Sequence, residues 1–175
     1  MIEFFNVRKQ FGEKIVFENL HWKIEKASVI GLVGPNGSGK STLLRLISGV
    51  IDTDHGFVKV YEENVFENIG IKKHIMFVSD DPYYIHKGSL NDMRDLYEIF
   101  YPNFDHKRYK QLVELFGLNP NMKISHFSKG MKRQVAIILA FAARPKIMLF
   151  DEAFDGLDPL MRFHLRQMIA EFVEE

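Results

Sequence analysis

Cysteine is absent from the 175 residues, which removes disulfides and thiolate metal sites from consideration and suits a reducing compartment. There is no excess of either charge: 23 Lys and Arg stand against 23 Asp and Glu, so no overall field draws the chain to nucleic acid or to an anionic membrane. Long apolar runs are missing too. The longest, Val135 to Ala143, is about half the ~20 residues needed to cross a bilayer. Residues Met1 to Gln10 mix Glu3, Asn6, Arg8 and Lys9 into their apolar positions, unlike a secretory leader. No internal repeat, low-complexity tract or long linker divides the chain, which reads as one domain carrying an inserted subdomain. The expectation is a soluble protein that reaches a membrane only through a partner.

What is present is an alternation of short strands and helices. Ile2, Phe4, Val7 and Phe11 frame a first strand and Gly12-Glu13-Lys14 a turn. Leu20, Trp22 and Ile24 then alternate with His21, Lys23 and Glu25, the period of a half-exposed antiparallel strand. Ser28 to Val33 is a continuous apolar run that predicts a buried parallel strand, followed by a helix from Ser41 to Ile47 stopped by Gly49. Phe57 to Tyr61 and Ile75 to Ser79 read as strands, while Glu62 to Lys73 gives no assignment. Ser89 to Phe100 and Asp105 to Phe116 read as capped helices separated at Pro102, the second closed by Gly117. A helix from about Lys129 to Ala143, a buried strand Ile147 to Phe150 and a last helix opened by Pro159 complete an α/β pattern with a mainly parallel sheet.

Two segments carry chemistry. Gly34-Pro35-Asn36-Gly37-Ser38-Gly39-Lys40-Ser41, with Thr42 behind it, fits G-x-x-x-x-G-K-[ST] between a predicted strand and a predicted helix. The glycines let backbone N–H groups turn inward around phosphate oxygens, Lys40 supplies an ammonium to the β and γ phosphates, and Ser41 offers an oxygen to Mg²⁺. In Ile147-Met148-Leu149-Phe150-Asp151-Glu152 an apolar strand ends in two carboxylates, where ligands of open α/β sheets bind. Alone, that pair reads more readily as a solvated turn. Downstream of a phosphate loop, Asp151 is suited to the water shell of Mg²⁺ and Glu152 to polarising an attacking water.

Phe127-Ser128-Lys129-Gly130-Met131 before a helix, and Gly156-Leu157-Asp158-Pro159 after Asp151-Glu152, complete an order of motifs that resembles the ABC ATPases from Phe11 to Pro159. The resemblance implies a P-loop core with an antiparallel part over residues 1–27 and a helical insert over 82–143. It further implies that Phe11 stacks on adenine, and that Ser128 and Gly130 contact the γ-phosphate held by a second copy in a head-to-tail dimer, with Asp158 crossing that interface. ATP and Mg²⁺ are the implied cofactors. The implied partners are a transmembrane permease and a second nucleotide-binding domain, at the cytoplasmic face of a membrane, with no nucleic acid. From the residues alone, Ser128 also serves as an ordinary N-cap, and Phe11 as a core residue.

The pattern departs from the family in four places. Lys129 and Met131 replace the commonest signature residues and look like the branch serving bacterial export; Ala153-Phe154 follow Glu152 where Pro-Thr is usual. Asp80 stands where a glutamine near Mg²⁺ is usual, and is expected to reach the cation through water. The chain ends at Glu175, before the family's switch histidine, and His164 falls within the last helix. Loss of one such donor costs about 10²–10³ in rate, so slow hydrolysis with retained binding is expected. A nucleotide-binding regulatory or vestigial module is therefore the alternative to a transport motor. No Asn-Lys-x-Asp guanine motif occurs, which weighs against a GTPase, and neither paired domains nor a basic excess points to a DNA-repair or translation relative.

Overall fold

The computed structural model describes residues 1–174. They form two compact units, one built on residues 1–75 and the other on residues 76–172.

In the first unit, β1 (Ile2–Phe11) and β2 (Lys14–Ile24) form an antiparallel hairpin closed where Phe11 faces Lys14. Gly12 sits in the turn at φ 57, a left-handed conformation that glycine adopts without strain from a Cβ. Ile2, Phe4 and Val7 are buried, and Leu20, Trp22 and Ile24 are half-buried between exposed neighbours, as the alternation predicts. On one side of the hairpin β3 (His55–Val60) pairs with β1, and the two-residue β4 (Glu63–Asn64) pairs with β3, giving the order β2-β1-β3-β4. Helix α1 (Lys40–Ile47) buries Leu43, Leu44, Leu46 and Ile47 and ends at Ser48, followed by Gly49 at φ 66. The unassigned stretch holds β4 and a single turn, α2 (Ile69–Lys72), capped by the Asn68 side chain.

Ser28 to Val33 does not form the strand predicted for it. After a bend at Lys26-Ala27, where Ala27 has φ 52, the segment runs irregularly, belongs to neither sheet, and leaves Val33 99% exposed. An apolar run becomes a buried parallel strand only where neighbours complete its ladder and cover both faces, and these six residues have neither.

In the second unit, β5 (Ile75–Val78) and β6 (Ile147–Phe150) form a two-stranded parallel sheet, so the class is α/β with an antiparallel N-terminal part. Between them run α3 (Leu90–Phe100), α4 (His106–Leu115), a short 3-10 turn (Ile124–His126) and α5 (Lys129–Ala142), and α6 (Pro159–Glu174) follows β6. The starts were legible because each is fixed locally. Ser89 and Asp92 form a capping box on α3, Asp105 caps α4 through the Arg108 amide, and Ser128 caps α5 through the Met131 amide. Leu90, Met93, Leu112, Val135, Ile137 and Leu165 are fully buried together in the main cluster. One charged residue on α5, Arg133, is buried as well.

Candidate functional site

The phosphate-binding segment belongs to the first unit. Gly37 and Gly39 take φ 80 and φ 99, which an L side chain resists. At Gly39 space also forbids a side chain: a Cβ would lie 2.8 Å from Val16 Cγ1 and 3.0 Å from Phe17 Cζ, both on β2. A Cβ at Gly34 would lie 2.9 Å from Ser38 Oγ. Lys40 curls back over the loop and its Nζ donates to the carbonyls of Gly34 at 2.7 Å and Pro35 at 2.9 Å. Pro35 O also accepts from the Ser38 amide at 3.3 Å, which tightens the turn through Asn36. Gly39 is the N-cap of α1 and offers no side chain to its amides, and the first turn, Lys40 to Leu43 through Ser41 and Thr42, holds no acidic residue. The positive end of that helix is thus left for an outside anion.

The hairpin end meets this loop. Lys14 Nζ donates to Gly37 O at 3.3 Å, and Lys14 faces Phe11 across the hairpin. Phe11 is 49% exposed at the surface, and the Lys9 ammonium lies over its ring, 5.3 Å from the centroid. Lys14 carries no sequence signal. Only hairpin geometry brings it to the loop.

The carboxylates belong to the second unit. Asp151 directly follows β6, is buried to 7% exposure, and its amide donates to Val78 O at 2.9 Å, which ties the end of β6 to that of β5. Glu152 is exposed and has φ 53. Its carbonyl accepts from Arg133 Nη1 and from the Asp155 amide. A left-handed non-glycine residue costs about 1–2 kcal/mol, so those two donors offset a local strain. Asp80, expected near Mg²⁺, places its carboxylate 2.7 Å from Arg133 Nη2, and its carbonyl accepts from the same nitrogen at 2.9 Å. Arg133 had a signal that sequence reading passed over: it lies one turn before Ile137 on the apolar face of α5, and a charge there requires a buried partner.

The signature residues sit at helix starts. Ser128 is exposed and Met131 N donates to its Oγ at 3.1 Å, while a Cβ on Gly130 would approach Gly156 O to 3.1 Å. Asp158 caps α6, accepting from Met161 N at 3.0 Å.

Ser41 in the first unit and Asp151 in the second each carry a hard oxygen of the type that Mg²⁺ takes, and no cluster of three or more His, Asp or Glu side chains among the described residues is arranged to hold a metal alone. Mg²⁺ takes such partial protein coordination, one or two side-chain oxygens completed by water and phosphate.

A family model described as ABC transporter matches residues 17–155. The ABC transporter ATP-binding protein YtrB of Bacillus subtilis is 33% identical over 182 residues, covering all of this chain and 60% of that protein. The lantibiotic transport ATP-binding protein SrtF of Streptococcus pyogenes is 27% identical over all of this chain and 76% of its own length. The methionine import ATP-binding protein MetN of Clostridium tetani is 31% identical over 100% of this chain and 58% of its own length. The chain therefore spans about three-fifths of YtrB and of MetN. Among solved structures, an ATP-binding subunit of an ABC transporter superposes with TM-score 0.89 at 24% identity, over 99% of this chain and 75% of that one. A dimeric ATP-binding cassette bound to ADP and Pi gives TM-score 0.83 at 24% identity, over 99% and 83%. At these identities the superpositions speak for the fold.

Proposed function

This chain belongs to the ABC transporter family, and we propose that it binds Mg-ATP and hydrolyses it as the energy-supplying subunit of a membrane transporter. The observation that carries the reading is the loop at 34–41: two left-handed glycines, a lysine folded across the mouth, and a helix start without acid or side-chain cap. Such a loop offers amides and an ammonium to a polyphosphate and little to anything else.

In this reading the amides from Gly34 to Ser41 hold the β and γ phosphates, Lys40 exchanges its two carbonyl partners for phosphate oxygens, and Phe11 stacks on the base. Ser41 and Asp151 would hold the magnesium ion, which would supply positive charge against the negative charge developing on the transferred phosphoryl group. Glu152 orients the attacking water by accepting its hydrogen bond. Ser128 and Gly130 of a second copy approach the same γ-phosphate in a head-to-tail pair, and Asp158 lies at that junction. Support for the pairing is the exposed Ser128 at the start of α5, where the positive end of a 14-residue helix meets the surface. No helix of the described residues is long and apolar enough to cross a membrane. In this reading a permease partner supplies the membrane attachment, with this chain on the cytoplasmic side.

The test is phosphate release from Mg-ATP, measured beside calorimetric binding, for the chain and for Glu152→Gln. Release that falls by about 10²-fold or more in the variant, with affinity held, is the expected result. Binding without release in either protein would make the chain a nucleotide-binding module, and absence of binding would remove the reading altogether.

A further inference from the structure

Within the second unit, a single buried side chain joins three acceptors on two residues far apart in the sequence, Asp80 and Glu152. Arg133 is 4% exposed, on the fifth residue of α5 counted from Lys129. Its Nη1 donates to the carbonyl of Glu152, and its Nη2 to both the carbonyl and the carboxylate of Asp80. We propose that Arg133 is a positioning residue for Glu152, and that Asp80 is the counter-ion that holds Arg133 in that role.

The reasoning starts from what a guanidinium is. Its nitrogens are coplanar and fixed relative to each other, so a side chain that donates from one to Glu152 and from another to Asp80 sets the spacing of the two loops. One loop follows β5 and the other follows β6. Glu152 needs such a hold because its backbone stands at φ 53, where a side chain other than glycine stays only if its surroundings over-determine it. The direction of the Glu152 carboxylate is set by that same backbone. A charge buried at this depth in turn requires a partner. Asp80 supplies it at 2.7 Å while its own side chain remains 55% exposed. The acid at position 80 thus has a task inside this unit that needs no cation.

This inference rests on the proposed role of Glu152 in hydrolysis, and two readouts separate the one from the other. The first needs no turnover. Hydrogen exchange is followed in the chain with Arg133→Lys, which keeps the charge but loses the planar fork, and with Asp80→Asn. Exchange across residues 151–156 should quicken about tenfold in Arg133→Lys, with the α5 core from 135 to 142 unchanged. Equal protection in both proteins would overturn the proposal, whether or not the chain hydrolyses ATP. The second readout is kinetic. Arg133→Lys should lower kcat by roughly 10–100-fold while the Kd for Mg-ATP stays within about threefold. Asp80→Asn should lower kcat less, and add under about twofold once Arg133 is already lysine. Effects that multiply in the double variant, or a higher magnesium requirement in Asp80→Asn with kcat intact at saturation, would show that Asp80 acts on the cation and not through Arg133. A wild-type chain that binds Mg-ATP without releasing phosphate would defeat hydrolysis alone, leaving the exchange result to decide the positioning.

Discussion

Replacing Lys40 by alanine separates nucleotide binding from folding. In the ligand-free chain the ammonium donates to two carbonyls of its own loop, at 2.7 and 2.9 Å, near the surface. Contacts of that kind contribute about 1 kcal/mol or less, so the melting temperature of the free variant should move by no more than ~2–4 °C for a chain of this size. The liganded comparison differs. Mg-ATP at 100 times its Kd adds ~2.7 kcal/mol to the stability of the wild-type chain, which is a rise of about 5–11 °C. An ammonium hydrogen-bonded to a phosphate is worth roughly 1.5–3 kcal/mol, and its loss raises Kd by about 10–150-fold. At the upper end the same ATP concentration is about two-thirds of the new Kd, the added stability falls to ~0.3 kcal/mol, and the rise shrinks to about 1 °C. The assay is a thermal melt with and without Mg-ATP for both proteins. A variant that keeps the full rise would refute the loop as the binding site, because the nucleotide would then be held elsewhere.

Two further predictions concern the scaffold. Gly39→Ala combines φ 99 with a Cβ 2.8 Å from Val16 Cγ1, and should cost ~2–4 kcal/mol, whereas Gly117→Ala at φ 64 meets nothing within 4 Å and should cost about 1 kcal/mol; equal losses in urea unfolding would contradict the packing argument. Asp54, Asp92 and Asp105 are all held below the usual carboxylate value of 3.8, Asp54 by the Lys9 ammonium, Asp92 by the Ser89 amide and Asp105 by the Arg108 amide. A depressed folded-state value means that the stabilisation is complete above about pH 4 and disappears as the pH falls through the lowered values. Unfolding midpoints should therefore drop below pH ~4, less steeply in Asp105→Asn, and a flat profile would show that these carboxylates add nothing.

The parts of this fold that could be read in advance are those settled within a few residues. Ser89, Asp105 and Ser128 cap helices because each hydroxyl or carboxylate needs only an amide three residues on, and the hairpin turn at Gly12 needs only one left-handed residue. The loop at 34–41 was legible for the same reason, its glycines and lysine acting on one another across six positions. Glu62 to Lys73 resisted because its elements, two residues of β4 and four of α2, are shorter than any period that could announce them. Ser28 to Val33 misled because apolar composition gives a strand its faces and not its edges.

Position 80 is the most instructive, since its meaning depended on a residue 53 positions away. By analogy with a glutamine, Asp80 reads as a cation ligand. Beside a buried guanidinium, the same carboxylate is also an acidic partner for the charge on α5. The dependence runs one way: without an acid at 80 the buried guanidinium keeps only carbonyl partners, whereas without the arginine the half-exposed Asp80 is simply solvated and it is the Glu152 carbonyl that loses a donor.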